Sequence, residues 1–151
     1  MLSPKEQLAA DERFMREALK QASLAIYKDE VPVGAVIVTG GKIIAKGYNQ
    51  TETLKDVTAH AEMIAFTAAS AYLNGKYLKD CTLYVTIEPC VMCAGASYWT
   101  QISRIVFGSP DEKRGYHLHG NLLHPKTIIT GGVLQDDCSK LVRDFFSKKR
   151  G

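Results

Sequence analysis

Two short segments, far apart in the chain, restrict its fold more than any other feature: His60-Ala61-Glu62 and Pro89-Cys90-Val91-Met92-Cys93. One imidazole and two thiolates are ligands that zinc accepts in tetrahedral geometry, and three protein ligands leave the fourth position to a water. The fold must therefore bring the two segments together, and the sequence places each at the start of a predicted helix. Cys90 and Cys93, three apart, share one face of theirs, where the positive helix N-terminus favours thiolates. His60 opens a different helix, so the third ligand arrives from the side and the metal ties two helices across the sheet. Glu62, two residues on, does not face that metal in a regular helix. It is cast instead as the general acid/base beside a zinc-activated water. The pattern predicts a hydrolytic enzyme with one Zn2+ per chain.

The bounds agree. At 151 residues, 46% hydrophobic and 23% charged, the chain reads as one domain over residues 1–151, with no linker, repeat or composition break. No apolar run approaches the ~20 residues of a membrane span, and Met1-Leu2-Ser3-Pro4-Lys5-Glu6 lacks a signal-peptide pattern, so a cytoplasmic protein without a membrane partner is expected. Four cysteines in such a chain argue for metal rather than disulfides. Cys81 and Cys138 read as small buried hydrophobes. The net charge of +3 identifies no partner, but Lys140, Arg143, Lys148, Lys149 and Arg150 stand against only Asp144 near the C-terminus.

Periodicity predicts alternating elements. Met15, Ala18, Leu19, Ala22 and Ile26 form the stripe of a helix over about 11–27, and Pro32 ends that region. Residues 33–38 and 42–46 are β-rich runs around Thr39-Gly40-Gly41, a hairpin signal. Thr58 is a candidate cap for a helix running to Leu73, with Asn74-Gly75 as its stop. Further strands are expected at 83–87, 104–108 and 127–130, and helices from Cys90 and over 134–149, the last with Leu141, Val142, Phe145 and Phe146 inward. A polar loop fills 109–125. The order implies an α/β fold, a three-layer α/β/α sandwich on a mixed five-stranded sheet.

Two blander readings of the motif compete. Cys-x-x-Cys alone suits a redox pair, but Pro89 and the upstream His-x-Glu argue against it. A closed structural zinc site needs a fourth ligand from His117, His119, His124, Cys81 or Cys138, none at short ligand spacing to the set. His117 and His119 otherwise read as exposed loop residues without an assigned role.

At these residues the chain resembles the zinc-dependent nucleobase deaminases, whose His-x-Glu and Pro-Cys-x-x-Cys signature defines the family. Val31-Pro32-Val33-Gly34-Ala35, Thr58-Ala59-His60-Ala61-Glu62, Leu83-Tyr84-Val85-Thr86, Glu88 to Ala96 and Arg104-Ile105-Val106-Phe107-Gly108 are similar to the bacterial tRNA adenosine deaminases, which form inosine at the wobble base. That resemblance runs from the first helix to Phe145-Phe146 and implies a cytidine deaminase-like fold. It implies His60, Cys90 and Cys93 as zinc ligands and Glu62 as proton shuttle in hydrolytic deamination of adenine at C6. It places Val33 and Asn49 at the base, with Asp111, Lys113 and Arg150 toward an anticodon loop.

A homodimer is expected on the same ground, with Tyr98 and Trp99 either on its surface or in the core. The segment Tyr116-His117-Leu118-His119-Gly120-Asn121-Leu122-Leu123-His124-Pro125 is shorter than the family's loop. A free-base or nucleoside deaminase of guanine or cytosine type, and a non-catalytic zinc-stabilised RNA-binding module, are the alternatives in function.

Overall fold

A computed structural model describes residues 1–151. Its elements are α1 (Pro4–Tyr27), β1 (Gly34–Thr39), β2 (Lys42–Tyr48), α2 (Ala61–Leu73), β3 (Cys81–Ile87), α3 (Val91–Thr100), β4 (Arg104–Ser109), a 3₁₀ turn (Tyr116–His119), β5 (Ile128–Thr130) and α4 (Gln135–Arg150). The strands form one sheet in the order β2-β1-β3-β4-β5. β1 is antiparallel to β2 and β3, whereas β3, β4 and β5 run parallel, so the sheet is mixed as expected.

Each face of the sheet is covered by two helices. Ala61, Ala65, Phe66 and Ala69 of α2 and Ala94 of α3 pack with Ala35, Ile37, Leu83, Val85 and Ile105. Phe14, Met15 and Ala18 of α1 and Cys138 of α4 pack on the other face, with Val36, Val38, Tyr84 and Val106. The metal donors therefore join two helices on one face rather than across the sheet, because both crossovers into β3 and β4 run on that side.

Several local expectations need correction. Helix α1 begins about seven residues before the expected start near residue 11, because Ser3 and Glu6 form a reciprocal capping box with Pro4 in the first turn. Along its stripe Ala25 is buried and Ile26 is exposed. The cap of α2 is His60 rather than Thr58, whose hydroxyl and backbone N–H are both taken by Asp56. In α4 only Cys138 is buried; Leu141, Val142 and Phe145 are half-exposed and Phe146 is exposed. The loop after β4 is less polar in effect than in composition, since Tyr116, Leu122 and Leu123 pack on the core. Cys81 and Cys138 are buried as expected.

The α1 face also holds an ion pair that periodicity did not reveal. Asp11 receives both Arg104 guanidinium nitrogens at 2.7 Å and the Tyr84 hydroxyl at 2.8 Å. This links α1 to the two central parallel strands. Burial pushes the Asp11 carboxyl up, but the donors of Arg104, Tyr84 and Gln7 outweigh it and hold the group below the ordinary value.

Candidate active site

The site lies beyond the carboxyl end of β3, where the chain leaves the sheet through Glu88-Pro89 and enters α3 at Cys90. Cys90 is the N-cap of α3 and His60 the N-cap of α2, both with extended backbone and neither making a side-chain cap bond. Gly47 on β2 allows this approach: a Cβ there would sit 2.5 Å from the carbonyl oxygen of Ala61. Two helix N-termini thus converge, and their unpaired N–H groups and dipoles favour thiolate and carboxylate there.

His60 Nδ1 lies 3.6 Å from Cys90 Sγ and 3.5 Å from Cys93 Sγ, and the three donor atoms are all within 4.8 Å of one another. Zinc bonds of about 2.3 Å to sulfur and about 2.05 Å to nitrogen, at a tetrahedral angle, put N and S about 3.6 Å apart. The donor set therefore fits zinc in chemistry and in spacing. No fourth His, Cys, Asp or Glu joins the triangle. This argues against a closed structural site, and of the candidate fourth ligands Cys81 and Cys138 lie in the cores and His117 is bound to Glu88.

The thiols are unequal. The hydrogen bond from Cys93 lowers Cys90 to about 4, aided by His60 and the Cys93 backbone N–H, while Cys93 is raised by that same pairing and by burial. Its bond to Cys90 raises His60. Held by His60, Cys90 and Cys93, a divalent cation would supply the charge that favours the second thiolate. Burial pushes Glu62, 3% exposed in the first turn of α2, up to about 7.

A cleft of about 590 Å³ opens over this triangle. Val33, Asn49, Asp111, Lys113 and Arg150 all line it, together with His60, Glu62 and Cys90; Cys93 is buried. Asn49 Nδ2 donates to the Val31 carbonyl at 3.4 Å, and its buried Oδ1 has no partner. A buried acceptor without a donor carries a desolvation cost, which a ligand N–H in the cleft would relieve. Of the C-terminal cations, Arg150 reaches the cleft whereas Lys149 pairs with Asp29 at 2.7 Å. Phe146 and Val142 wall the same cleft, which explains why the apolar side of α4 is not in the core.

Sequence reasoning missed the residues that hold the cleft walls. Glu30, 1% exposed, accepts from the backbone N–H of Glu52 (3.1 Å) and Thr53 (2.6 Å) and from the Thr53 hydroxyl (2.7 Å). It fixes the loop after β2 that carries Asn49 and Thr51. Glu88 holds the opposite loop through Asp111 and His117. Their only sequence signal is an acidic residue next to a proline or in an apolar setting at the end of an element. Arg114 also lines the cleft unforeseen.

A family model for the cytidine and deoxycytidylate deaminase zinc-binding region matches residues 8–109. A tRNA-specific adenosine deaminase of Aquifex aeolicus is 42% identical, with 92% of this chain and 95% of that protein covered. One of Bacillus subtilis is 39% identical over 95% and 92%. A chloroplastic tRNA(adenine(34)) deaminase of Arabidopsis thaliana is 43% identical over 93% of this chain, which spans only 12% of that protein. A structure from studies of A-to-I editing by tRNA:A34 deaminases at the wobble position superposes with TM-score 0.80 at 36% identity, covering 85% of this chain and 98% of that one. A guanine deaminase from Nitrosomonas europaea reaches TM-score 0.81 at 26% identity, covering 97% and 86%.

Proposed function

The chain belongs to the cytidine and deoxycytidylate deaminase family, and within it we propose that it deaminates the wobble adenosine of a tRNA anticodon to inosine. The observation that carries this reading is the juxtaposition in one cleft of an open His60/Cys90/Cys93 triangle, Glu62, the unpaired Asn49 Oδ1 and the cations Lys113, Arg114 and Arg150. Zinc held by His60, Cys90 and Cys93 supplies the Lewis acidity that brings a water near deprotonation at neutral pH.

Glu62 relays protons. Its carboxyl, buried in the first turn of α2 and lining the cleft beside the donor triangle, takes a proton from the attacking water and delivers it to the purine nitrogen or the departing amine. In the net change the water oxygen ends on C6 and the exocyclic nitrogen leaves as ammonia. Asn49 orients the base by accepting a hydrogen bond at Oδ1, and Val33 packs against it. Lys113, Arg114 and Arg150 meet phosphates, with Asp111 ordering the turn that carries the first two. A base in a single-stranded loop needs little unstacking to enter.

Residues 1–151 act as a single deaminase domain. The enzyme works as a homodimer in the cytoplasm; exposed Tyr98 and Trp99 on α3, 40% and 76% accessible, support an interface on that face. No helix is long and apolar enough to cross a membrane. The test is incubation of the zinc-loaded protein with an anticodon stem-loop bearing adenosine at the wobble position, with nucleoside analysis for inosine. Turnover of free guanine or cytidine with the stem-loop untouched would replace this reading with a small-molecule deaminase.

A further inference from the structure

Glu88 is a buried carboxylate, 3% exposed, with no role in the proton relay. Its two oxygens divide between the two ends of one loop. Oε1 accepts from the backbone N–H of Asp111 at 3.0 Å, and Oε2 accepts from the backbone N–H of His117 at 3.0 Å and from its Nδ1 at 2.7 Å. Between these anchors, the Asp111 carboxylate receives the backbone N–H groups of Lys113 and Arg114, each at 3.0 Å. Gly115 bridges to Cys90, and Tyr116 N–H donates to the Pro89 carbonyl at 2.9 Å. No larger residue fits at 115, because a Cβ there would lie 2.5 Å from Glu88 Oε1. The loop carrying two cleft cations is thus closed around a side chain two residues before the first cysteine ligand.

We propose that Glu88 and His117 are positioning residues that clamp the 111–117 loop onto the metal-ligand segment, so that Lys113 and Arg114 face the RNA backbone already arranged. The inference rests on the anticodon-loop reading of the cleft. Binding a flexible phosphate chain costs less when the protein cations are ordered beforehand, so the clamp acts on substrate affinity rather than on the chemical step. The His117 ring is 43% accessible, with Glu112 at 3.9 Å from its other nitrogen. Removing the ring leaves the two backbone donors to Glu88 in place and exposes no core.

The experiment compares wild type, His117→Ala and His117→Asn as zinc-loaded proteins on the wobble-adenosine stem-loop, measuring kcat, KM, zinc content and Tm. The amide nitrogen of an asparagine reaches about where Nδ1 lies. His117→Ala is expected to raise KM roughly fivefold to tenfold, the scale of one hydrogen bond, and to flatten the dependence of KM on salt. Its kcat should stay within about twofold, with zinc unchanged and Tm lowered only slightly, and His117→Asn should recover most of the KM. Glu88→Gln, which turns one acceptor into a donor, should raise KM further. An unchanged KM in His117→Ala, or a joint fall in kcat, zinc and Tm that asparagine does not rescue, overturns the clamp. A wild-type protein that leaves the stem-loop unmodified overturns instead the functional reading beneath it.

Discussion

The two walls of the cleft are both irregular segments held by a buried glutamate, yet the attachments differ in kind. Glu30 grips its loop at one point, the adjacent residues Glu52 and Thr53, through donors that do not titrate. Glu88 grips its loop at two points six residues apart, and one of its donors is an imidazole. The first wall carries Asn49 and the second Lys113 and Arg114; in the proposed function the first meets the base and the second the RNA backbone. A base needs one fixed geometry, which a point attachment inside the protein secures. Phosphates tolerate more latitude, and a clamped surface loop suffices for them. Beneath both walls lies a common floor, the metal triangle and Glu62.

That floor should dominate any mutational series. Cys90→Ala combined with Cys93→Ala is expected to abolish zinc binding and deamination together, as read by metal analysis of the purified protein. Full zinc occupancy in that double mutant would dissolve the ligand assignment. Glu62→Gln should keep its zinc and its fold while turnover drops by about 10²–10⁴-fold, the usual contribution of a general acid/base. Loss of zinc from this variant would make Glu62 a ligand instead.

The walls should then separate. Glu30→Gln puts an amide nitrogen against a loop donor, and one buried donor left unsatisfied costs about 1–3 kcal/mol. We expect a lower Tm and, because Asn49 shifts, a lower kcat. Replacing Lys113, Arg114 and Arg150 with glutamine should instead raise KM for the stem-loop with Tm unchanged. The slope of log affinity against log salt should shrink by about 0.7 for each phosphate that is no longer neutralised. If the Glu30 variant changed only KM, or the cation variants only kcat, the division between base wall and phosphate wall would fail.

The smallest effect concerns pH. Burial raises Glu30, but its Thr53 and Glu52 donors prevail and hold it below the ordinary carboxylate value. Its stabilisation is therefore complete above the unfolded carboxylate range and is lost as pH falls through the folded value. The bond to Glu88 raises His117, against desolvation, with the charges of Glu88, Glu112 and Asp111 adding to the rise. Its contribution is complete below the unfolded imidazole value of about 6.5 and is lost as pH rises through the raised folded value. The two walls should loosen at opposite ends of the pH range, visible in NMR titrations of the Thr53 amide and the His117 ring. Loosening of both at the same end would contradict the distinction.

The donor set and the order of strands and helices are legible in the chain alone, because ligand spacing, helix starts and alternating hydrophobicity are local and repeat with a fixed period. The sequence is less informative at α1, whose first two turns lie outside the apolar stripe and depend on the Ser3-Glu6 box, and at α2, where Asp56 takes the Thr58 hydroxyl and leaves His60 as the cap. It misleads at α4 because an apolar stripe reads the same whether it faces a core or a cleft, and here Val142 and Phe146 line a cleft. Folding in three dimensions sets α2 and α3 on one face. It also pairs Asp11 with Arg104, Glu30 with Thr53 and Glu88 with His117. Those contacts join residues distant in sequence through a few polar atoms, and such pairs leave no periodic trace: each partner becomes visible when folding removes water from both and each must satisfy the other.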